Sequence, residues 1–161
     1  MFTAAELLDM AVKVENNGEA VYRSAIDKVK TPELVCLLQW MADEEAAHAR
    51  FFSELKRNLE TKRRNPFVEE MSRELFDDLL GNQNFSLKEV DFSAIEKSDT
   101  MIDVFIEFEK DSVIFYKILE PFVEDPVARE HLQKIIEEEN HHIRKLQNFI
   151  GSNEICSITD K

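Results

Sequence analysis

Read at an offset of 94 residues, the first third of this chain aligns with its last third without a gap: position 8 pairs with 102, and position 55 with 149. Eleven of these 48 pairs are identical: Asp9/Asp103, Glu15/Glu109, Tyr22/Tyr116, Val29/Val123, Pro32/Pro126, Leu38/Leu132, Gln39/Gln133, Glu44/Glu138, Glu45/Glu139, His48/His142 and Arg50/Arg144. Ordinary composition gives about three. Shared amphipathic patterning accounts for some Leu and Glu matches, but the Pro, Tyr and His matches demand more. Whatever one third folds into, the other third folds into as well.

Each repeat reads as a helical hairpin. Leu8, Ala11, Glu15, Gly18, Tyr22 and Ala25 recur at spacings of three and four, which traces one face of a helix. Thr31-Pro32-Glu33 restarts a helix, with Thr as N-cap, Pro in the first helical position and an acid in the first turn. That second helix carries Leu34, Leu38, Met41, Glu45, His48, Phe52 and Leu55 on one face. In the second repeat the matching faces are Ile102, Phe105, Glu109, Ser112, Tyr116, Leu119, and then Leu132, Ile135, Glu139, His142, Leu146, Phe149. Asp125-Pro126 starts the last helix, and Ser98-Asp99-Thr100 supplies capping chemistry for the third. Four such helices predict an all-α four-helix bundle.

The bundle is expected to occupy residues 1–150, as hairpins 5–61 and 98–150 joined by a crossover over 62–97, with a C-terminal tail at 151–161. Arg63-Arg64-Asn65-Pro66 breaks the second helix, Phe67 to Leu80 can form a short extra one, and Gly81-Asn82-Gln83-Asn84 ends it. A connection of that length between helices 2 and 3 suits a topology in which those two run parallel. Its phenylalanines, over residues 67–92, suggest a homodimer.

With 161 residues the chain can build one domain with a real core, but hardly two. Three Gly and four Pro beside twelve Phe fit a helix-rich protein. A net charge of −13 argues against nucleic acid or an anionic membrane as partner. No apolar run approaches a membrane span, and the N-terminus lacks a basic-then-apolar signal. Cys36 and Cys156 form no CxxC pair, so no redox dithiol or Cys-rich metal site is indicated. A cytoplasmic location is the default expectation.

The chemistry lies where charge interrupts the apolar stripes. Each repeat's first helix has one such glutamate, Glu15 or Glu109, and each second helix has a Glu and a His three apart, Glu45/His48 or Glu139/His142. Residues at i and i+3 share a helix face with Cβ atoms about 5–6 Å apart, so both can reach one centre. Residues 138 to 142 also offer Glu138 with His141, but the repeat and the flanking Leu132, Ile135, Leu146 and Phe149 put Glu139 and His142 on the core face. Buried carboxylates must protonate or meet a cation, and no Lys or Arg shares these stripes. Two divalent cations cancel four carboxylates and leave the imidazoles neutral. An all-oxygen-and-nitrogen donor set suits iron or manganese, with zinc also admissible.

VENNGEAVY at 14–22, DEEAAH at 43–48, FEKDSVIFY at 108–116 and EEENHH at 137–142 resemble the four helix motifs of the rubrerythrin branch of the ferritin-like superfamily. The resemblance covers residues 8–55 and 102–149. It implies a ferritin-like fold with two iron ions that react with hydrogen peroxide or dioxygen, often in defence against oxidative stress. Carried across by position, Glu15, Glu45, His48, Glu109, Glu139 and His142 become the metal ligands, with Glu45 and Glu139 as bridges. Typical rubrerythrins add a rubredoxin domain with paired CxxC motifs; without one, turnover is expected to need an external, rubredoxin-like electron donor. They also carry a further Glu three residues after the third-helix ligand, where this chain has Ser112. The symmetric set that results keeps oxidase or ferroxidase chemistry open beside peroxide reduction, with ferrous iron handling as the alternative function. A bundle retained only as an interaction module is the remaining reading, and it leaves six costly core residues without a purpose.

Tyr22 and Tyr116 each follow a candidate ligand by seven residues, either as core tyrosines or as hydrogen-bond donors to ligand carboxylates. Gly18 and Ser112 are small residues one turn from a ligand, giving room for solvent or allowing close helix approach. Glu44 and Glu138 fall off the core face, as exposed or outer neighbours. His131 is three turns from His142 and reads as structural, and His141 is turned about 100° from the ligand face. Trp40 and Cys36 read as packing residues.

Overall fold

Each repeat folds as the hairpin its periodicity predicts. The computed structural model describes residues 4–60 and 98–151. These form four α-helices: α1 (Ala4–Ile26), α2 (Pro32–Glu60), α3 (Ser98–Leu119) and α4 (Pro126–Gly151). A short 3-10 turn at Glu120–Phe122 lies between the last two, and there is no strand among the described residues. No described helix is long and apolar enough to cross a membrane.

Helix starts fall where the capping residues place them. The Thr31 carbonyl accepts the N–H groups of Leu34 and Val35, both at 3.1 Å. At α4 the Asp125 carboxylate accepts the Val127 N–H at 3.1 Å, satisfying one of the donors a helix start leaves open. Pro32 and Pro126 sit where a missing N–H costs nothing. The Arg129 guanidinium closes the α3–α4 link by donating twice to the Val123 carbonyl, at 3.0 and 2.8 Å.

Pairings between helices give their directions. Lys56 on α2 meets Asp9 on α1, and Arg23 on α1 meets Asp43 on α2, so these two run antiparallel. Tyr22 against Phe105 and Glu109, with Tyr116 against Glu15, makes α1 and α3 antiparallel as well. Both α2 and α3 oppose α1, so they run parallel. The crossover expected over 62–97, with its short helix at 67–80, lies outside the described residues, as do the tail beyond 151 and the phenylalanines at 67–92.

The four apolar stripes meet in one core. Every position expected on the faces of α1, α2 and α3 is buried, from Leu8 and Tyr22 to Phe52, Ile102 and Leu119. On α4 the same holds for Leu132, Ile135 and Leu146, with Phe149 partly buried at the end. Each large apolar side chain contributes roughly 1.5–3 kcal/mol when fully buried. That surplus is what lets a helical bundle hold six polar groups at its centre.

Candidate metal centre

The interrupting residues converge at mid-bundle. Glu15, Glu45, His48, Glu109, Glu139 and His142 are each no more than 3% exposed. They form two overlapping groups: Glu15, Glu45, His48 and Glu139, and Glu45, Glu109, Glu139 and His142. Within each group, one ligand atom per residue lies within 4.8 Å of all the others. Glu45 and Glu139 belong to both. The first helix of each hairpin thus supplies one private carboxylate per group, and the second helix supplies an imidazole and a shared carboxylate.

Both imidazoles turn Nδ1 inward. His48 Nδ1 lies 2.8 Å from Glu139 Oε1 and 3.5 Å from Glu15 Oε2. His142 Nδ1 lies 3.2 Å from Glu139 Oε2, 3.4 Å from Glu45 Oε1 and 3.6 Å from Glu109 Oε2. The 2.8 Å approach of His48 is a close charge contact outside hydrogen-bond geometry, since His48 Nδ1 and Glu139 Oε1 both lack a hydrogen-bond partner. Glu15 Oε2, Glu45 Oε1 and Glu109 Oε2 are also buried without one. Such atoms ordinarily cost about 1–3 kcal/mol each. Five of them aimed into one small space, all oxygen or nitrogen, make a donor set that a hard or borderline cation satisfies.

Without a cation, protons carry the positive charge. Burial, followed by the charges of Glu139, Glu15 and Glu109, pushes the Glu45 carboxyl well above the usual range. Burial and Glu139 do the same to Glu109, against an opposing pull from His142. Burial also pushes on Glu139, but the close approach of Glu109, His142 and His48 outweighs it and holds that carboxyl well below the ordinary value. Burial disfavours the imidazolium of His48, yet Glu15, Glu138 and Glu139 together raise its pKa well above normal. His142 behaves alike through Glu109, Glu139 and Glu44. Protons held on these groups would thus offset the interior charge as a bound cation would.

The two tyrosines are fully buried, and each serves the other hairpin. Tyr22 donates to Glu109 Oε1, and Tyr116 donates to Glu15 Oε1. Burial first, and then the neighbouring carboxylates, raises both phenols well above their ordinary pKa, so they remain donors. Gly18 resolves in favour of close approach. A Cβ there meets Glu45 Oε2 at 2.9 Å and Phe108 Cε1 at 3.2 Å, so the carboxylate occupies the room a side chain would take. Ser112 turns its hydroxyl to the Phe108 carbonyl at 3.1 Å.

Around this centre the structure places residues that sequence reasoning set aside. Glu138 Oε2 lies 2.9 Å from His48 Nε2, and Glu44 Oε2 lies 3.1 Å from His142 Nε2. Their identity across the repeat was the one signal available for them. Trp40 sets its ring edge-on to His142, with centroids 5.1 Å apart, and to His141 at 5.7 Å. Its repeat partner is Lys134, so nothing in the repeat hinted at that contact. His131 is exposed and packs on Phe51 at 4.2 Å, away from the centre. Cys36 is a free thiol, half-buried on α2.

Comparison with known proteins agrees with the helical fold. In fold, the chain is similar to a Thermotoga maritima protein described as a ferritin-like diiron-carboxylate protein, with a TM-score of 0.65 and 21% identity. The alignment covers 95% of this chain and 97% of that one. No curated protein matches the chain. A family model described as rubrerythrin matches residues 6–150, taking in both hairpins and all six centre residues. By that match, over nearly its whole length, the chain belongs to the rubrerythrin family.

Proposed function

We propose that the chain is a non-haem di-iron oxidoreductase that reduces hydrogen peroxide or dioxygen at a carboxylate-bridged site, using electrons from an external donor such as a rubredoxin-like protein. The observation that carries this reading is the pair of four-residue groups sharing Glu45 and Glu139. Glu15 and His48 would hold one ion, Glu109 and His142 the other, and the shared carboxylates would span both. When bound, two iron ions supply a pair of one-electron reductants side by side, so an oxidant can take both electrons in one site.

The chain's own residues do the rest. Four carboxylates balance the charge of two divalent ions, so the imidazoles bind as neutral donors. Tyr22 and Tyr116 hold one oxygen of Glu109 and Glu15, which leaves the other oxygen of each free to face the metals. The core packed around the site keeps bulk water from the reacting ions.

A second reading, ferrous iron binding and oxidation for iron handling, draws on Ser112. Its hydroxyl is committed to its own helix and no fifth carboxylate stands there, which leaves the donor set symmetric. Anaerobic loading with ferrous iron, metal analysis and rapid mixing with peroxide or oxygen test both readings. Two irons per chain and faster oxidation by peroxide or oxygen than free ferrous ion shows are expected. Less than one metal per chain sinks both. Catalytic turnover with an added reductant separates the first from the second, which predicts stored ferric iron in a many-subunit shell.

A further inference from the structure

The geometry points to Glu44 and Glu138 as positioning residues that aim the two imidazoles, each gripping the histidine of the opposite hairpin. This inference rests on the di-metal reading above and deepens it.

An imidazole beside a metal must settle two questions: which nitrogen faces the ion, and which carries the proton. Rotation about the side-chain bonds can exchange the two nitrogens, and an unrestrained ring samples both. Here the answer is built in twice. His48 presents Nδ1 to Glu139 and Glu15, while its Nε2 lies 2.9 Å from Glu138 Oε2. His142 presents Nδ1 to Glu139, Glu45 and Glu109, while its Nε2 lies 3.1 Å from Glu44 Oε2. An ionised carboxylate only accepts hydrogen bonds, so the proton must sit on Nε2. A cation would displace the Nδ1 proton of the metal-free imidazolium and take its lone pair.

The grip comes from one helical step. Glu138 precedes Glu139 and Glu44 precedes Glu45, and neighbouring residues on a helix point about 100° apart. The second glutamate of each pair therefore enters the cluster, while the first reaches sideways across the contact of α2 with α4. Its target belongs to the other repeat, because those helices are antiparallel and bring residue 44 beside 142 and 48 beside 138. The side chains of Glu44 and Glu138 are 29% and 31% exposed, partly withdrawn from water, and among the described residues their charge has no other strong tie. Lys134 stands 3.7 Å from Glu138 but is 70% exposed, too loosely placed to fix it. The imidazole is the partner that accounts for the position.

Zinc-loaded protein with 15N-labelled histidine tests this without any turnover. In the wild-type chain, NMR should show Nδ1 bound and Nε2 protonated at both His48 and His142. Glu138→Leu should lower affinity at the His48 position roughly 10–100-fold, the range carried by such partners of metal-bound imidazoles, and Glu44→Leu should do so at the His142 position. Each should also lose the ordered Nε2–H signal of its own histidine. Glu138→Gln and Glu44→Gln keep an oxygen that accepts from Nε2–H, so they should retain that signal and most of the affinity. Leu variants that bind as wild type, or Gln variants that fall as far as the Leu ones, overturn the inference. If a Leu variant fails to fold, as judged by circular dichroism, its Gln counterpart decides: loss of the Nε2–H signal there overturns the assignment. A wild-type chain that binds no metal overturns the di-metal reading and this one together, whereas unchanged Leu variants of a metal-binding chain overturn this one alone.

Discussion

Tyr22 on α1 donates its hydroxyl proton to Glu109 on α3, and Tyr116 on α3 returns the bond to Glu15 on α1. Neither tyrosine serves the glutamate of its own helix, two turns away. Replacing either with Phe leaves a buried carboxylate oxygen without its donor, at a cost of roughly 1–3 kcal/mol. Tyr22→Phe and Tyr116→Phe should therefore lower the stability of the metal-free protein by similar amounts in chemical denaturation. A loss confined to one of them would show that the two halves are not equivalent.

Gly18→Ala separates the site from the fold. Alanine favours the helix by about 1 kcal/mol over glycine, but its Cβ must displace the Glu45 carboxylate that lies 2.9 Å away. The end of a flexible side chain can move, so the melting temperature should change little. Because Glu45 is shared by both donor groups, metal affinity should drop at both positions. Unaltered binding in a titration would mean that Glu45 has a second orientation equally good for metal.

Metal binding should release protons, and its strength should rise with pH. In the metal-free protein the folded-state pKa values of His48, His142, Glu45 and Glu109 are raised above their ordinary values of 6.5 and 4.5. Groups raised in the folded state contribute stability that is complete below the unfolded value and lost as pH climbs through the folded one. Glu139, which is depressed, contributes the opposite way and loses its share only as pH falls below 4.5. Metal-free protein should thus lose melting temperature as pH rises past 4.5 and then past 6.5, while metal-loaded protein holds or gains it. Calorimetry in buffers of different ionisation enthalpy counts the protons released; zero would contradict the charge balance described above.

Trp40 is the only tryptophan of the chain, and its ring stands 5.1 Å from that of His142. Its fluorescence should therefore report on one metal position. Ferrous or cobaltous ions, which have open shells, should quench it strongly on binding, whereas zinc should shift it without comparable quenching. The Glu109→Gln variant, aimed at the His142 position, should weaken that response more than Glu15→Gln does. Equal responses in the two variants would rule out a local reporter.

Much of this was written locally. The i, i+3, i+4 recurrence put Leu8, Tyr22, Met41, Phe105 and Ile135 in the core, and Pro32 and Pro126 marked the helix starts. The same recurrence set Glu139 and His142 inward and separated them from Glu138 and His141. Where the sequence misled, the cause was a partner it could not name. Glu44 and Glu138 could be read only as exposed or outer neighbours because their own helices offer them nothing, and Trp40 looked like packing because its target is 102 positions later.

The sequence by itself determined which face of each helix is apolar, where charge breaks that face, and that the break occurs twice in the same form. Those are properties of one helix turn and its neighbours, and 3.6 residues per turn is enough to state them. Only the tertiary structure decided that Tyr22 answers Glu109, that Glu138 answers His48, and that Glu45 and Glu139 stand in both groups. Each of those facts depends on the axial register and direction of two packed helices, which the packing of the whole core fixes and no spacing within a helix contains.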